Sequence, residues 1–104
     1  MTVYNKAIRD KIPEIIEQTG GSCDVKTLSD EEFLLELDKK LSEELEEYNQ
    51  SKSVEELADL VEVVQRIVKL RGTSLEEFEK IKSEKVEKRG AFEKNLFLIK
   101  SDKK

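Results

Sequence analysis

The sequence predicts an all-α protein. Three segments open with Ser-x-x-Glu and run on into apolar residues at helical spacing: Ser29-Asp30-Glu31-Glu32, Ser53-Val54-Glu55-Glu56 and Ser74-Leu75-Glu76-Glu77. In such a start the Ser side chain accepts a first-turn amide and the Glu reaches back to the cap amide, satisfying donors that a helix end leaves open. Gly72 and Gly90 then fall where two of these helices should stop.

In chain order, a short helix is expected from Pro13 to Thr19. Pro suits a first turn, Ile12, Ile15 and Ile16 supply an apolar side, and Gly20-Gly21 ends it. Longer helices follow over about 30–49, 54–71 and 75–89. The joint Asn49-Gln50-Ser51-Lys52-Ser53 is short and polar, so the two longest helices should fold back antiparallel as a hairpin. Val25–Leu28 and Leu96–Ile99 are short apolar or β-branched stretches suited to a small paired ribbon, and Ser101–Lys104 should fray.

With 104 residues the chain makes one domain, 1–104, and with 41% charged against 37% hydrophobic residues its core must be thin. A lone hairpin would leave one side of its apolar arc bare. Homo-oligomerisation, as a homodimer or tetramer in which hairpins pair into a four-helix bundle, would cover it. The absence of His rules out His-based triads and His-ligated zinc, and the single Cys23 cannot form an internal disulfide. Cys23 also lacks the His or helix N-terminus that a nucleophilic thiol needs.

The charged N-terminus and the lack of any apolar run longer than Leu96–Ile99 lead us to expect a soluble, cytoplasmic protein with no membrane partner. The net charge of −5 hides a gradient, because residues 80–104 carry nine Lys/Arg against four Asp/Glu and residues 1–79 carry ten against twenty. An acidic body with a basic tail argues against duplex nucleic acid. It suits a cation and a phosphate-bearing ligand held side by side.

The acids of the hairpin divide by direction. Leu34, Leu37, Leu41, Leu45 and Tyr48 lie within an arc of roughly 60°, the seam against which the next helix must pack. Glu44 lies about 60° from its centre and Glu47 about 120° on the same side, whereas Glu43 and Glu46 point nearly opposite. On the following helix, Leu57, Leu60, Val61, Val63, Val64 and Ile67 form a broad apolar arc that contains Glu56, with Asp59 on its flank. A carboxylate in such an arc must be protonated, paired or bound to a cation. If the hairpin brings Glu44, Glu47, Glu56 and Asp59 together, each close pair repels by about 1 kcal/mol in water and about 4 at an effective dielectric of 20. An oxygen-only ligand set favours Mg²⁺, or Mn²⁺, over zinc or copper.

A second use exists for these acids. Glu56 is also placed to be the reciprocal Glu of a Ser53 capping box, and Glu44 and Glu47 to be solvated acids of a charged helix. Glu55 and Glu62 face away from the arc, with Glu62 and Arg66 at the spacing of an i,i+4 ion pair.

At these positions the sequence resembles the MazG-like all-α nucleoside triphosphate pyrophosphohydrolases, whose signature E-E-x-x-E followed by E-x-x-D reads here Glu43-Glu44-Leu45-Glu46-Glu47 and Glu56-Leu57-Ala58-Asp59. The flanks Tyr4-Asn5-Lys6-Ala7-Ile8-Arg9-Asp10-Lys11-Ile12-Pro13-Glu14 and Glu84-Lys85-Val86-Glu87-Lys88-Arg89-Gly90-Ala91-Phe92 resemble the small stand-alone house-cleaning branch, which is related to phosphoribosyl-ATP pyrophosphohydrolase. The resemblance implies a helical homo-oligomer that cleaves a nucleoside triphosphate between the α and β phosphates with Mg²⁺. It implies Glu44, Glu47, Glu56 and Asp59 as metal ligands and catalytic acids, with Glu43 secondary. Only eight residues separate Glu47 from Glu56, fewer than in many members, so the base preference transfers least.

Such a reaction needs cations on the departing pyrophosphate, and the candidates are Arg9, Lys11, Lys85, Lys88 and Arg89. The last three also suit the dipole at a helix C-terminus. Tyr4, Tyr48 and Phe92 are aromatic surfaces on which a base could stack. The competing readings are a non-catalytic helical interaction or nucleotide-binding module, and a phosphoribosyl-ATP pyrophosphohydrolase of histidine synthesis.

Overall fold

The computed structural model describes residues 2–102 and is all-helical among them: α1 (Ile12–Gln18), α2 (Asp30–Ser51), α3 (Val54–Leu70) and α4 (Leu75–Arg89). The three serine starts act as N-caps. Ser29 forms the full reciprocal box: its Oγ accepts the Glu32 amide at 3.2 Å and its own amide donates to Glu32 Oε1 at 3.1 Å. Ser74 accepts the Glu77 amide at 3.1 Å. Ser53 accepts from Glu55 at 3.1 Å, one residue earlier than the box requires, so the Glu56 carboxylate plays no part in capping.

Helix α2 runs two residues beyond its expected end, and only Lys52 and Ser53 join it to α3. The turn is made by Lys52 in the left-handed region at φ 57°, with its amide donating to the Tyr48 carbonyl at 2.7 Å. So short a joint forces α2 and α3 to lie antiparallel. The side chains agree, since Arg71 just past α3 meets Asp38 in the first half of α2 at 3.5 Å, while Asp59 near the start of α3 lies beside Glu44 in the second half of α2.

The core is thin. Among the described residues only Ala7, Leu37 and Glu44 are buried, with Leu34, Leu41, Tyr48, Leu60, Val63, Val64 and Ile67 half-buried around them. Three residues expected in the seam lie open instead: Leu45, Leu57 and Val61, at 50%, 37% and 51% exposure. They belong to the side of the hairpin that no described element covers. The opposite side is covered, because the segment before α1 lays Ala7 against α2 and ties down with Lys6 on Glu43 at 3.2 Å and Arg9 on Asp59 at 2.7 Å.

The ribbon does not form. Val25–Leu28 and Leu96–Ile99 have no strand pairing, and Leu96, Phe97, Leu98 and Ile99 stand at 77–88% exposure. Four apolar residues after a helix stop have no partner edge to pair with, and isolated two-stranded pairings are marginal in water. Ser101 and Asp102 are exposed and outside any element, while Lys103 and Lys104 lie outside the described residues. The chain is elongated, 59 × 32 × 23 Å, and α4 from Glu79 onward is exposed throughout. No helix is long and apolar enough to cross a membrane.

Candidate metal centre

Two groups of carboxylates share one corner. Glu43, Glu44 and Glu47 each bring an oxygen within 4.8 Å of the others, and so do Glu44, Glu56 and Asp59. Positions 43, 44 and 47 fall on one turn of α2, and 56 and 59 on one turn of α3, so the antiparallel hairpin sets the two groups side by side with Glu44 common to both. Of the four acids singled out from the sequence, Glu44, Glu56 and Asp59 come together in one group, and Glu47 stands with Glu44 in the other.

Glu44 is the centre of the arrangement. It is 5% exposed, its Oε1 lies 3.4 Å from Lys40 Nζ, and its Oε2 is buried with no hydrogen-bond partner. Burial pushes its pKa up, and the neighbouring Glu47 carboxyl adds to the rise against the opposing pull of Lys40. A buried carboxylate oxygen without a donor costs free energy in proportion to its desolvation, and a cation at that position relieves it. The site therefore fits a hard divalent cation on two grounds: an orphaned buried oxygen, and a donor set made only of carboxylates.

The structure corrects the expected direction of Glu43. Its side chain is one-third exposed and joins the cluster, holding Lys6 at 3.2 Å and Lys40 at 3.5 Å. Partial burial raises its pKa, but the two lysines outweigh that and hold it below the usual carboxylate range. The reason is the N-terminal segment, which covers a face of α2 that a helical wheel leaves in solvent. Glu46 and Glu55 are exposed, as expected, and Glu46 accepts from Gln50 at 3.1 Å. Glu62 forms no ion pair with Arg66 among the described residues.

Beside the cluster lies an open groove of about 870 Å³ between the N-terminal segment, α1 and the α2–α3 hairpin. Glu44 and Asp59 border it, and Arg9 and Lys11 stand on its N-terminal wall. Lys85, Lys88 and Arg89 do not: α4 contributes only Leu75 to the groove and carries these three on its exposed far half. Sequence patterning missed three cations that do line it, Lys40, Arg66 and Lys69, and an aromatic wall residue, Phe33. The signal for Phe33 was its position one turn before Leu37. Of the aromatics weighed as base platforms, Tyr4 is 70% exposed, Phe92 is 99% exposed and Tyr48 is half-buried in the hairpin seam.

No family model matches the chain, and no solved structure matches it. Over 40 residues the chain is 48% identical to an uncharacterized protein of Mycolicibacterium smegmatis, a stretch that covers 38% of this chain and 41% of that protein. The shared stretch thus spans less than half the length of the relative.

Proposed function

We propose that the chain is a divalent-cation-dependent pyrophosphohydrolase of a nucleoside triphosphate, releasing monophosphate and pyrophosphate in the upkeep of the cytoplasmic nucleotide pool. The observation that carries this reading is Glu44, a buried carboxylate with an unpartnered oxygen at the shared corner of two acid clusters. Its neighbours Glu47, Glu56 and Asp59 complete the signature that resembles the MazG-like enzymes.

Glu44, Glu47, Glu56 and Asp59 would hold Mg²⁺, with Mn²⁺ as a substitute of the same ligand preference. When bound, the ion supplies neutralisation of phosphate oxygens and lowers the pKa of a coordinated water. The chain's own residues do the rest. Glu47, exposed at the cluster's edge, has access to solvent and would be the acid placed to accept the attacking water's proton. Arg9 and Lys11 on the groove wall orient the polyphosphate by charge-assisted hydrogen bonds. Phe33, with the isoleucines of the groove, offers an apolar wall for the rest of the nucleotide.

Self-association belongs to the same proposal. Leu45, Leu57 and Val61 lie open on the hairpin side opposite the acids, and a second hairpin laid there makes a four-helix bundle without obstructing the groove. Pyrophosphate release from a panel of nucleoside triphosphates, with Glu56→Gln as the inactive control, tests the reaction.

A further inference from the structure

Along one face of α3 the residues bordering the groove change sign in order: Asp59, Glu62, Arg66, Lys69. The acid end meets Glu44 in the cluster. The basic end begins seven residues later, about two helical turns or roughly 10 Å along the axis. Neither Arg66 nor Lys69 has an ionic partner among the described residues, although Glu62 stands one turn away from Arg66. Arg66 lines the groove one turn beyond Glu62 and two turns beyond Asp59. Lys69 in the last turn also complements the helix dipole, but that does not account for Arg66, which precedes the last turn and still lines the groove.

Across the groove Lys11 supplies a third cation, and Asp10 is the acid of that wall. A ligand seated here meets a carboxylate end suited to a metal and, within two turns, a guanidinium and an ammonium without partners. That sequence of charges matches one chemical class, a polyphosphate whose metal-bound portion lies at the acids and whose distal phosphates reach the cations.

We propose that Arg66 and Lys69, faced by Lys11, form the subsite for the distal phosphates of the substrate and hence for the departing pyrophosphate. This places that role on α3 and not on Lys85, Lys88 and Arg89 of α4. The identity of the anion rests on the pyrophosphohydrolase reading, whereas the position of the subsite rests on the groove.

The test is calorimetric titration of inorganic pyrophosphate with Mg²⁺ into the full chain, its Arg66→Ala, Lys69→Ala and Arg66→Lys variants, and a Lys85→Ala/Lys88→Ala/Arg89→Ala variant, each checked by circular dichroism. Both α3 positions are exposed, so the helices should survive the substitutions. Arg66→Ala and Lys69→Ala should each weaken pyrophosphate binding by about tenfold, with Arg66→Lys recovering part of the loss and the salt dependence becoming shallower in the alanine variants. Unchanged binding in both, loss confined to the α4 variant, or no pyrophosphate binding by the wild-type chain would each overturn the subsite. Failure of the function reads differently: pyrophosphate would bind through Arg66 and Lys69 while no triphosphate is cleaved.

Discussion

Arg9 reaches across fifty residues of sequence to place its Nη2 2.7 Å from Oδ1 of Asp59, an acid that also stands within 4.8 Å of Glu44 and Glu56. One carboxylate thus belongs both to the N-terminal segment and to the candidate metal centre. The guanidinium neutralises part of the acid cluster, and on the proposed function it would pass to a substrate phosphate once a cation supplied that charge.

Replacing Arg9 with Ala should therefore separate two properties. The pair is largely exposed, so its loss is worth at most about 1 kcal/mol, and Mn²⁺ alone should bind up to about fivefold tighter. Activity should move the other way, kcat/KM falling about tenfold or more because a phosphate contact is gone. Titration of Mn²⁺ and steady-state kinetics on the same preparation measure both.

Glu44→Gln should raise the melting temperature of the metal-free protein at neutral pH by a few degrees while abolishing metal-induced stabilisation. A carboxyl whose pKa is higher in the folded state favours folding below the ordinary Glu range and opposes it as pH rises through the raised value. The amide never acquires that charge. Melting curves with and without Mg²⁺ from weakly acidic to neutral pH should show the wild-type protein alone losing metal-free stability as pH rises.

Glu32 behaves in the opposite sense. Hydrogen bonds from the Ser29 amide and hydroxyl hold its pKa below the ordinary Glu value, so the cap stabilises α2 above the ordinary Glu range and the contribution fades as pH falls through the depressed value. Ser29→Ala should lower the melting temperature by a few degrees at neutral pH, and the gap to wild type should narrow as pH falls below the ordinary Glu range.

Val61→Lys, alone or with Leu45→Lys, should leave the helices intact and shift sedimentation toward the monomer. Both positions lie open in a single chain, so a charge there costs little until a second apolar surface must cover it. An unchanged sedimentation coefficient would show that the bare face is not the contact.

The local rules carried the helices. Three serine caps and the apolar periodicity placed α2, α3 and α4 to within two residues, and the short joint implied the hairpin that brings Glu44 to Glu56 and Asp59. What local rules cannot see is the N-terminal segment crossing α2: it is irregular, it has no period, and it decides that Glu43 is half-buried and that Arg9 sits on Asp59. Likewise Ser53 and Glu56 have the spacing of a capping box, yet the serine bonds Glu55 and leaves Glu56 to the acid cluster. The groove cations Arg66 and Lys69 were hidden for the same reason, since a groove exists only once two distant segments have met.

The most direct test is pyrophosphate release by the wild-type chain and by Glu56→Gln, assayed with Mg²⁺ over ribo-, deoxyribo- and modified nucleoside triphosphates. We expect monophosphate and pyrophosphate in equal amounts from at least one of them, lost in Glu56→Gln and on chelation of the metal. No release from any triphosphate, together with a melting temperature indifferent to Mg²⁺, would contradict the reading and leave the acids as a charged surface.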